Sequence, residues 1–247
     1  MRKILVIDDE KPTLKMFRLF LIAYGYEVFI AEDGQTGLEI FEKESPDIVF
    51  TDIKMPGMDG IEVLRKIKET DPLTEVIVVT GHGDMDLAIQ ALNLGATDFI
   101  NKPIAKIALD SALGRADERI KLSGTQVNEI LFQNRDNLTI IDIKGNITSI
   151  SETLLSDAFK NASEHDTSNI LLRFDEISSV NGAGIAILIK LLSASRKENK
   201  VVAITGISEN FKQIFEMAGI TRFVKIFDKQ EDAVNHLASR GMEAGKL

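Results

Sequence analysis

The sequence predicts two α/β domains in series, the first on a doubly wound five-stranded parallel sheet and the second on a mixed sheet with helices. Three observations carry this. Short β-branched runs alternate with longer helical patterns five times in the first half. A charged stretch without strand pattern, Ile104 to Asn128, then breaks at Ser123-Gly124-Thr125. Beyond it the rhythm changes, opening on two strands in succession before helices resume. The 247 residues agree, since one domain takes roughly 150. The domains are set at 1–122 and 129–247, with a linker at 123–128.

In the first half the predicted strands are Ile4–Ile7, Val28–Ala31, Ile48–Thr51, Val76–Thr80 and Phe99–Ile100. Several are apolar throughout, as expected when both faces of a parallel sheet are covered. The first helix begins near Pro12 and runs to Tyr24, where Gly25 stops it. The second covers Gln35–Lys43 before Pro46, and the third Gly60–Thr70 before Pro72. Asp84 is read as the N-cap of the fourth, which ends at Gly95, and the fifth follows Pro103. In the second half Glu129–Gln133 and Leu138–Ile143 are strands joined around Asn134–Asn137. Helix Ser151–Ala162, strand Ile170–Phe174, helix Ala183–Glu198, strand Val201–Thr205, helix Glu209–Ala218, strand Val224–Phe227 and helix Glu231–Ser239 complete the reading.

The composition excludes several classes. With 44% hydrophobic and 27% charged residues, whole-chain disorder is out. Residues 1–120 hold 14 basic and 22 acidic residues, net −8, and 121–247 hold 15 and 16, net −1. Neither half has the basic excess of a nucleic-acid binder, so no nucleic-acid partner is expected. The absence of Cys removes disulfides and thiol catalysis and fits a cytoplasmic location. The three His, at 82, 165 and 236, are too scattered for a zinc site. Ile4–Ile7 is too short for a signal peptide, and Ala183–Ile189 falls far short of the about 20 residues a membrane span needs.

Ligands of open parallel sheets bind outside the carboxyl ends of the strands. Those ends carry Asp8-Asp9, Asp52, Thr80 and Lys102-Pro103. If the first and third strands are neighbours, three carboxylates converge, and a hard divalent cation such as Mg²⁺ is the economical counterion. Lys102 adds a positive charge and Thr80 a hydroxyl, so the set suits phosphoryl transfer with Asp52 as the nucleophile. Taken singly, each Asp or Thr is more readily a helix cap and Lys102 a solvated side chain. Five such residues at the right strand ends are a much rarer accident.

On these residues, with VFTDIKMPGMDG around Asp52, residues 1 to about 120 resemble a two-component response-regulator receiver domain of flavodoxin-like fold. The resemblance implies phosphorylation of Asp52 by a histidine kinase. It implies Mg²⁺ held by Asp9, Asp52 and the main-chain carbonyl of Lys54, with Asp8 acting through water. It further implies a switch in which Thr80 turns toward the phosphoryl group and Phe99 moves inward; Phe99 lacks the hydroxyl often found there, and its plain reading is a core aromatic. Lys54 and His82, two residues beyond Asp52 and Thr80, would tune phosphate lifetime or be plain loop residues.

In the second half a strand leads through Ser-Val-Asn181-Gly182-Ala183-Gly184 into an apolar helix. The glycines permit close approach, either to a partner or simply between strand and helix. With Asp142-Ile143-Lys144-Gly145-Asn146-Ile147 and the closing Ala218-Gly219-Ile220 to Phe227-Asp228, residues 129 to about 240 resemble a STAS domain, the fold of anti-sigma-factor antagonists. In that family the loop carries a phosphorylated serine after an aspartate. Here Gly182 has no hydroxyl, and Ser178 and Ser179 lie out of register, where they read as ordinary loop residues. The switch is therefore expected to have moved to the receiver, whose phosphorylation would free or hide the surface around Asn181–Ile185. The implied partner is an anti-sigma factor, a phosphatase or another STAS-binding protein. The alternatives are a receiver-gated small-molecule-binding module and a phosphate sink with an assembly domain. An enzyme acting on a free substrate is not expected. Ile104, Ile107, Ala108, Ala112 and Ala116 form a stripe that would serve a homodimer or pack on its own sheet.

Overall fold

The computed structural model describes residues 1–81, 84–122, 129–135, 137–164, 169–175 and 178–244. The predicted linker, 123–128, and His82 lie outside the described residues. The chain divides into two compact units, Met1–Thr125 and Gln126–Leu247.

The first unit carries strands β1 (Lys3–Ile7), β2 (Glu27–Ala31), β3 (Ile48–Asp52), β4 (Glu75–Thr80) and β5 (Asp98–Asn101). All are parallel, in the order β2-β1-β3-β4-β5. Between them run α1 (Lys11–Ala23), α2 (Gly34–Glu44), α3 (Gly60–Thr70) and α4 (Met85–Asn93), and α5 (Lys106–Leu122) follows β5. This is the five-stranded parallel sheet expected. Alternate residues of one strand face opposite sides. Ile4, Val6, Ile48, Phe50, Ile77 and Val79 pack with Leu14, Phe17 and Leu21 of α1 and Leu109, Ala112, Leu113 and Ala116 of α5. The opposite alternates, among them Leu5, Ile7 and Val78, are equally buried. Gly37 of α2 lets that helix lie directly on Ile7, whose Cδ1 would be 2.4 Å from a Cβ there.

Strands β4 and β5 each begin one residue earlier than predicted, on charged residues. Asp98 is fully buried and Glu75 nearly so. Each has a cation from α5: the Arg115 Nε donates to Asp98 at 2.9 Å and Arg119 lies 3.0 Å from Glu75. Thr97 also donates its hydroxyl to Glu75. Pairing makes the burial tolerable and fixes the helix against the sheet edge. The stripe on α5 accordingly packs on its own sheet at Ala112 and Ala116, with Ile104 and Ala108 partly buried against it. Ile107 departs from that reading and is exposed.

The second unit carries β6 (Glu129–Arg135), β7 (Leu138–Lys144), β8 (Asn146–Ile147), β9 (Asn169–Phe174), β10 (Ser179–Val180), β11 (Val201–Thr205) and β12 (Lys225–Phe227). Its helices are α6 (Glu152–Glu164), α7 (Gly182–Lys197), α8 (Glu209–Met217) and α9 (Gln230–Ala244). The main sheet runs β12-β11-β9-β7-β6 and is mixed as expected: β6 and β7 are antiparallel, the rest parallel. Ala233 and Leu237 of α9 cover Ile140, Leu171 and Ala203. Two strands were not predicted: β8 and β10 pair in parallel over two residues each, too few to show a period.

Replacing Arg115 with Met is expected to destabilise the first unit by about 3–5 kcal/mol, because Asp98 would stay buried without its cation. Chemical denaturation followed by circular dichroism measures this; unchanged stability would mean that α5 is not held by the pair.

Candidate functional site

The register decides what meets at the top of the first sheet. Ile7 is paired with Thr51 across β1 and β3, so the next residues, Asp8 and Asp52, leave the sheet side by side. Carboxylate oxygens of Asp8, Asp9 and Asp52 lie within 4.8 Å of one another. Asp8 and Asp52 are buried and Asp9 is exposed.

The counter-charge is an ammonium. Lys102 Nζ lies 2.6 Å from Asp52 Oδ2, 3.1 Å from Asp8 Oδ2 and 3.2 Å from Glu10 Oε2. Desolvation opposes the charge on Lys102, but its hydrogen bond to Asp52 and its ion pair with Asp8 outweigh that and push its pKa up. Burial, the largest influence on Asp8, raises its pKa against the opposing hydrogen bond from the Glu10 amide at 2.8 Å. Hydrogen bonds from Lys102 and Thr13 hold the Glu10 carboxyl below the usual range. Asp8 Oδ2 is near Lys102 yet has no directed hydrogen bond. A buried carboxylate oxygen held by an ion pair but by no directed hydrogen bond, within a set of oxygen ligands, fits a hard divalent cation.

The surrounding loop is held by backbone bonds. Ile53 N donates to Val79 O at 2.9 Å, Gly60 N to Ile53 O at 3.0 Å, and Lys54 N to Asp52 Oδ1 at 3.3 Å. A Cβ on Gly60 would stand 2.0 Å from the Asp52 carbonyl oxygen, so only glycine allows α3 to start there. Thr80 is buried at the end of β4, and its hydroxyl donates to the Gly81 carbonyl at 3.1 Å. Phe99 is fully buried in β5.

One residue of the site escapes the sequence reading, and one expectation is corrected. Glu10 was passed over; its place directly after Asp8-Asp9 was the available signal. Asp84 stands at the N-cap position of α4 but its side chain makes no capping bond. Its carboxylate instead pairs with the Lys54 ammonium at 2.6 Å. The pair ties the loop after β3 to the loop before α4, so Lys54 is not merely a solvated side chain.

In the second unit the Asn181 side chain accepts from Gly184 N at 2.9 Å and caps α7. A Cβ on Gly184 would meet the Ile147 carbonyl oxygen at 2.3 Å, so helix and strand touch there. Ala183 is exposed and Gly182 half-buried in this first turn. Ser178 and Ser179 are buried, not open loop residues. Ser178 Oγ donates to Ile143 O at 2.9 Å and Ser179 Oγ to Asn146 Oδ1 at 2.7 Å.

Residues 4–114 match the response regulator receiver domain family, and residues 129–233 match the STAS domain family. Transcriptional regulatory protein GlrR of Escherichia coli K12 is 36% identical over 116 residues, 47% of this chain and 26% of GlrR. Transcriptional regulatory protein FixJ of Rhizobium meliloti is 32% identical over 124 residues, 50% of this chain and 61% of FixJ. A crystal structure of a response regulator receiver domain protein from Clostridium thermocellum is 42% identical, covers 50% of this chain and 99% of that one, and has a TM-score of 0.48. The chain thus spans only part of the curated relatives it matches.

Two outcomes follow from the geometry. Because folding raises the pKa of Asp8, its ionisation costs stability above that raised value and nothing below the ordinary 3.8. In metal-free buffer Asp8→Asn is therefore expected to stabilise the first unit at neutral pH, and the gain to vanish below 3.8 in urea titrations. Gly184→Ala is expected to destabilise the second unit by about 1–3 kcal/mol in the same assay.

Proposed function

With residues 4–114 forming a response regulator receiver domain and residues 129–233 a STAS domain, we propose that the chain is a phosphorylation-controlled signalling protein in which Asp52 is the phosphoacceptor. The observation that carries the reading is the Lys102 ammonium 2.6 Å from the Asp52 carboxylate, at the mouth of a three-aspartate cluster. The donor would be the phosphohistidine of a partner histidine kinase. An Asp52 oxygen attacks phosphorus, the bond from phosphorus to the histidine nitrogen breaks, and the imidazole leaves with that electron pair.

Asp8, Asp9, Asp52 and the Lys54 carbonyl would hold Mg²⁺, which when bound supplies positive charge to the phosphoryl oxygens. Lys102 is already in place to bind one such oxygen. Thr80, whose hydroxyl now donates to Gly81, would turn to donate to another, and Phe99 would occupy the inward position beneath it. Lys54 and Asp84 sit at the rim, where the new anion would compete for the Lys54 ammonium.

The STAS domain is the output in this reading, and it contacts a regulatory protein through the surface of Asn181, Gly182, Ala183 and Gly184. Gly182 offers no hydroxyl there, and the hydroxyls of Ser178 and Ser179 are engaged within the fold. Control by a serine of this loop is thereby disfavoured and control by the receiver favoured. Both families are regulatory rather than typical enzyme families. Among the described residues no helix is long and apolar enough to cross a membrane.

The test is phosphorylation by acetyl phosphate with Mg²⁺. Wild type is expected to gain acid-labile phosphate and Asp52→Asn to gain none. A pull-down with and without phosphodonor should change its bound partners only in wild type. Equal incorporation by the Asn variant would overturn the assignment.

A further inference from the structure

We infer that the second unit has a binding site for a small, multiply charged phosphate compound, in a basic cleft between α7, β11, β12 and α9. The cleft encloses about 300 Å³. Arg196 from the last turn of α7, Lys200 before β11, Arg222, Lys225 at the start of β12 and His236 of α9 line it. Among the described residues its lining holds no acidic side chain.

The clustering is unusual for this molecule. The chain is acidic, with a net charge of −9. Elsewhere in the unit Lys144, Lys160, Arg173, Lys190 and Lys212 each pair with a carboxylate. Among the described residues, Arg196, Arg222 and Lys225 have no such pair. The negative end of the α7 dipole accounts for cations at Arg196 and Lys200. It does not account for Arg222 and Lys225, which come from the 3-10 turn Ile220–Arg222 after α8 and from β12 and add to the mutual repulsion. Four like charges around one cavity are relieved by an anion of matching charge.

The cleft is also positioned in advance. Arg196 Nη1 donates to the Arg222 carbonyl at 3.2 Å, and Lys200 Nζ donates to the Ala162 carbonyl at 3.1 Å. The bond to Arg222 holds the Arg196 side chain across the cleft and uses one of the five guanidinium N–H donors. Arginine forks suit phosphoryl oxygens. Two linked phosphoryl groups carry enough charge for the cluster and are small enough for the volume. A nucleic acid is disfavoured, because its long phosphate chain would run along an otherwise acidic surface. The site lies at the opposite end of α7 from Asn181, about 22 Å along the helix axis. It is separate from the proposed partner surface and does not rest on phosphorylation of Asp52.

The experiment titrates inorganic pyrophosphate into the full chain without magnesium, at constant ionic strength, and follows amide chemical shifts. Saturable shifts in residues 196–201 and 220–225 are expected. The double variant R222E/K225E should weaken binding at least about tenfold, whereas K160E should change it little. The variants' amide spectra elsewhere report that they remain folded. Absence of saturable shifts, equal binding by R222E/K225E, equal weakening by K160E, or tighter binding of a duplex oligonucleotide than of pyrophosphate at these residues would overturn the site.

Discussion

Asp8 and Asp52 are buried beside each other and share one ammonium, and the first unit is arranged around that crowding. The backbone brings them together: parallel pairing of β1 with β3 in this register leaves the next residue of each strand nowhere else to go. Neither carboxylate can relax into water without unpairing the sheet. Lys102, at the end of the edge strand β5, supplies the charge that makes the arrangement tolerable. The ion pairs of α5 act at a distance on the same problem. Arg115 and Arg119 fix the helix that follows Lys102 to the first residues of β5 and β4. The cation therefore has a firm support on both sides of its loop.

Both units place a glycine where a helix begins against a strand end. Gly60 meets the Asp52 carbonyl and Gly184 the Ile147 carbonyl, each closer than any Cβ could stand. In the first unit this keeps the loop after Asp52 short and stiff, with Lys54 N on the carboxylate. In the second it presses α7 onto β8, and Asn181 closes the turn by capping. A first turn so fixed is a rigid surface, which suits recognition better than chemistry.

The strands of the first unit were legible because buried parallel strands are apolar on both faces, and Ile4–Ile7 or Val76–Thr80 have no other use for such residues. The acidic cluster was legible because its members sit at strand ends, where topology alone brings them together. What escaped depends on pairing across the fold. Glu75 and Asp98 look like loop residues until Arg119 and Arg115 arrive from α5. Asp84 has the residue type and position of a cap, yet a cation from another loop outbids the backbone amides for its carboxylate. The strands β8 and β10 are too short to carry a period. The basic cleft left little local trace, since beyond the short stretch Arg196–Lys200 its cations come from separate elements.

In the proposed mechanism the phosphoryl group alters ion pairs that already exist. Lys102 now divides its attraction among Asp52, Asp8 and Glu10, and Lys54 is held by Asp84. A dianion on Asp52 would draw both ammonium groups toward one point, releasing Glu10 and Asp84 from theirs. A hundredfold shift between states needs about 2.8 kcal/mol of difference. A hydrogen bond to a charged group contributes about 1.5–3 kcal/mol, so the largely buried Lys102 carries most of that difference and the exposed Lys54 pair adds up to about 1 kcal/mol. The elements moved would be the loop before α4 and the start of α1, because Asp84 and Glu10 belong to them. A site that spends its cations internally at rest can thus signal by reassigning them.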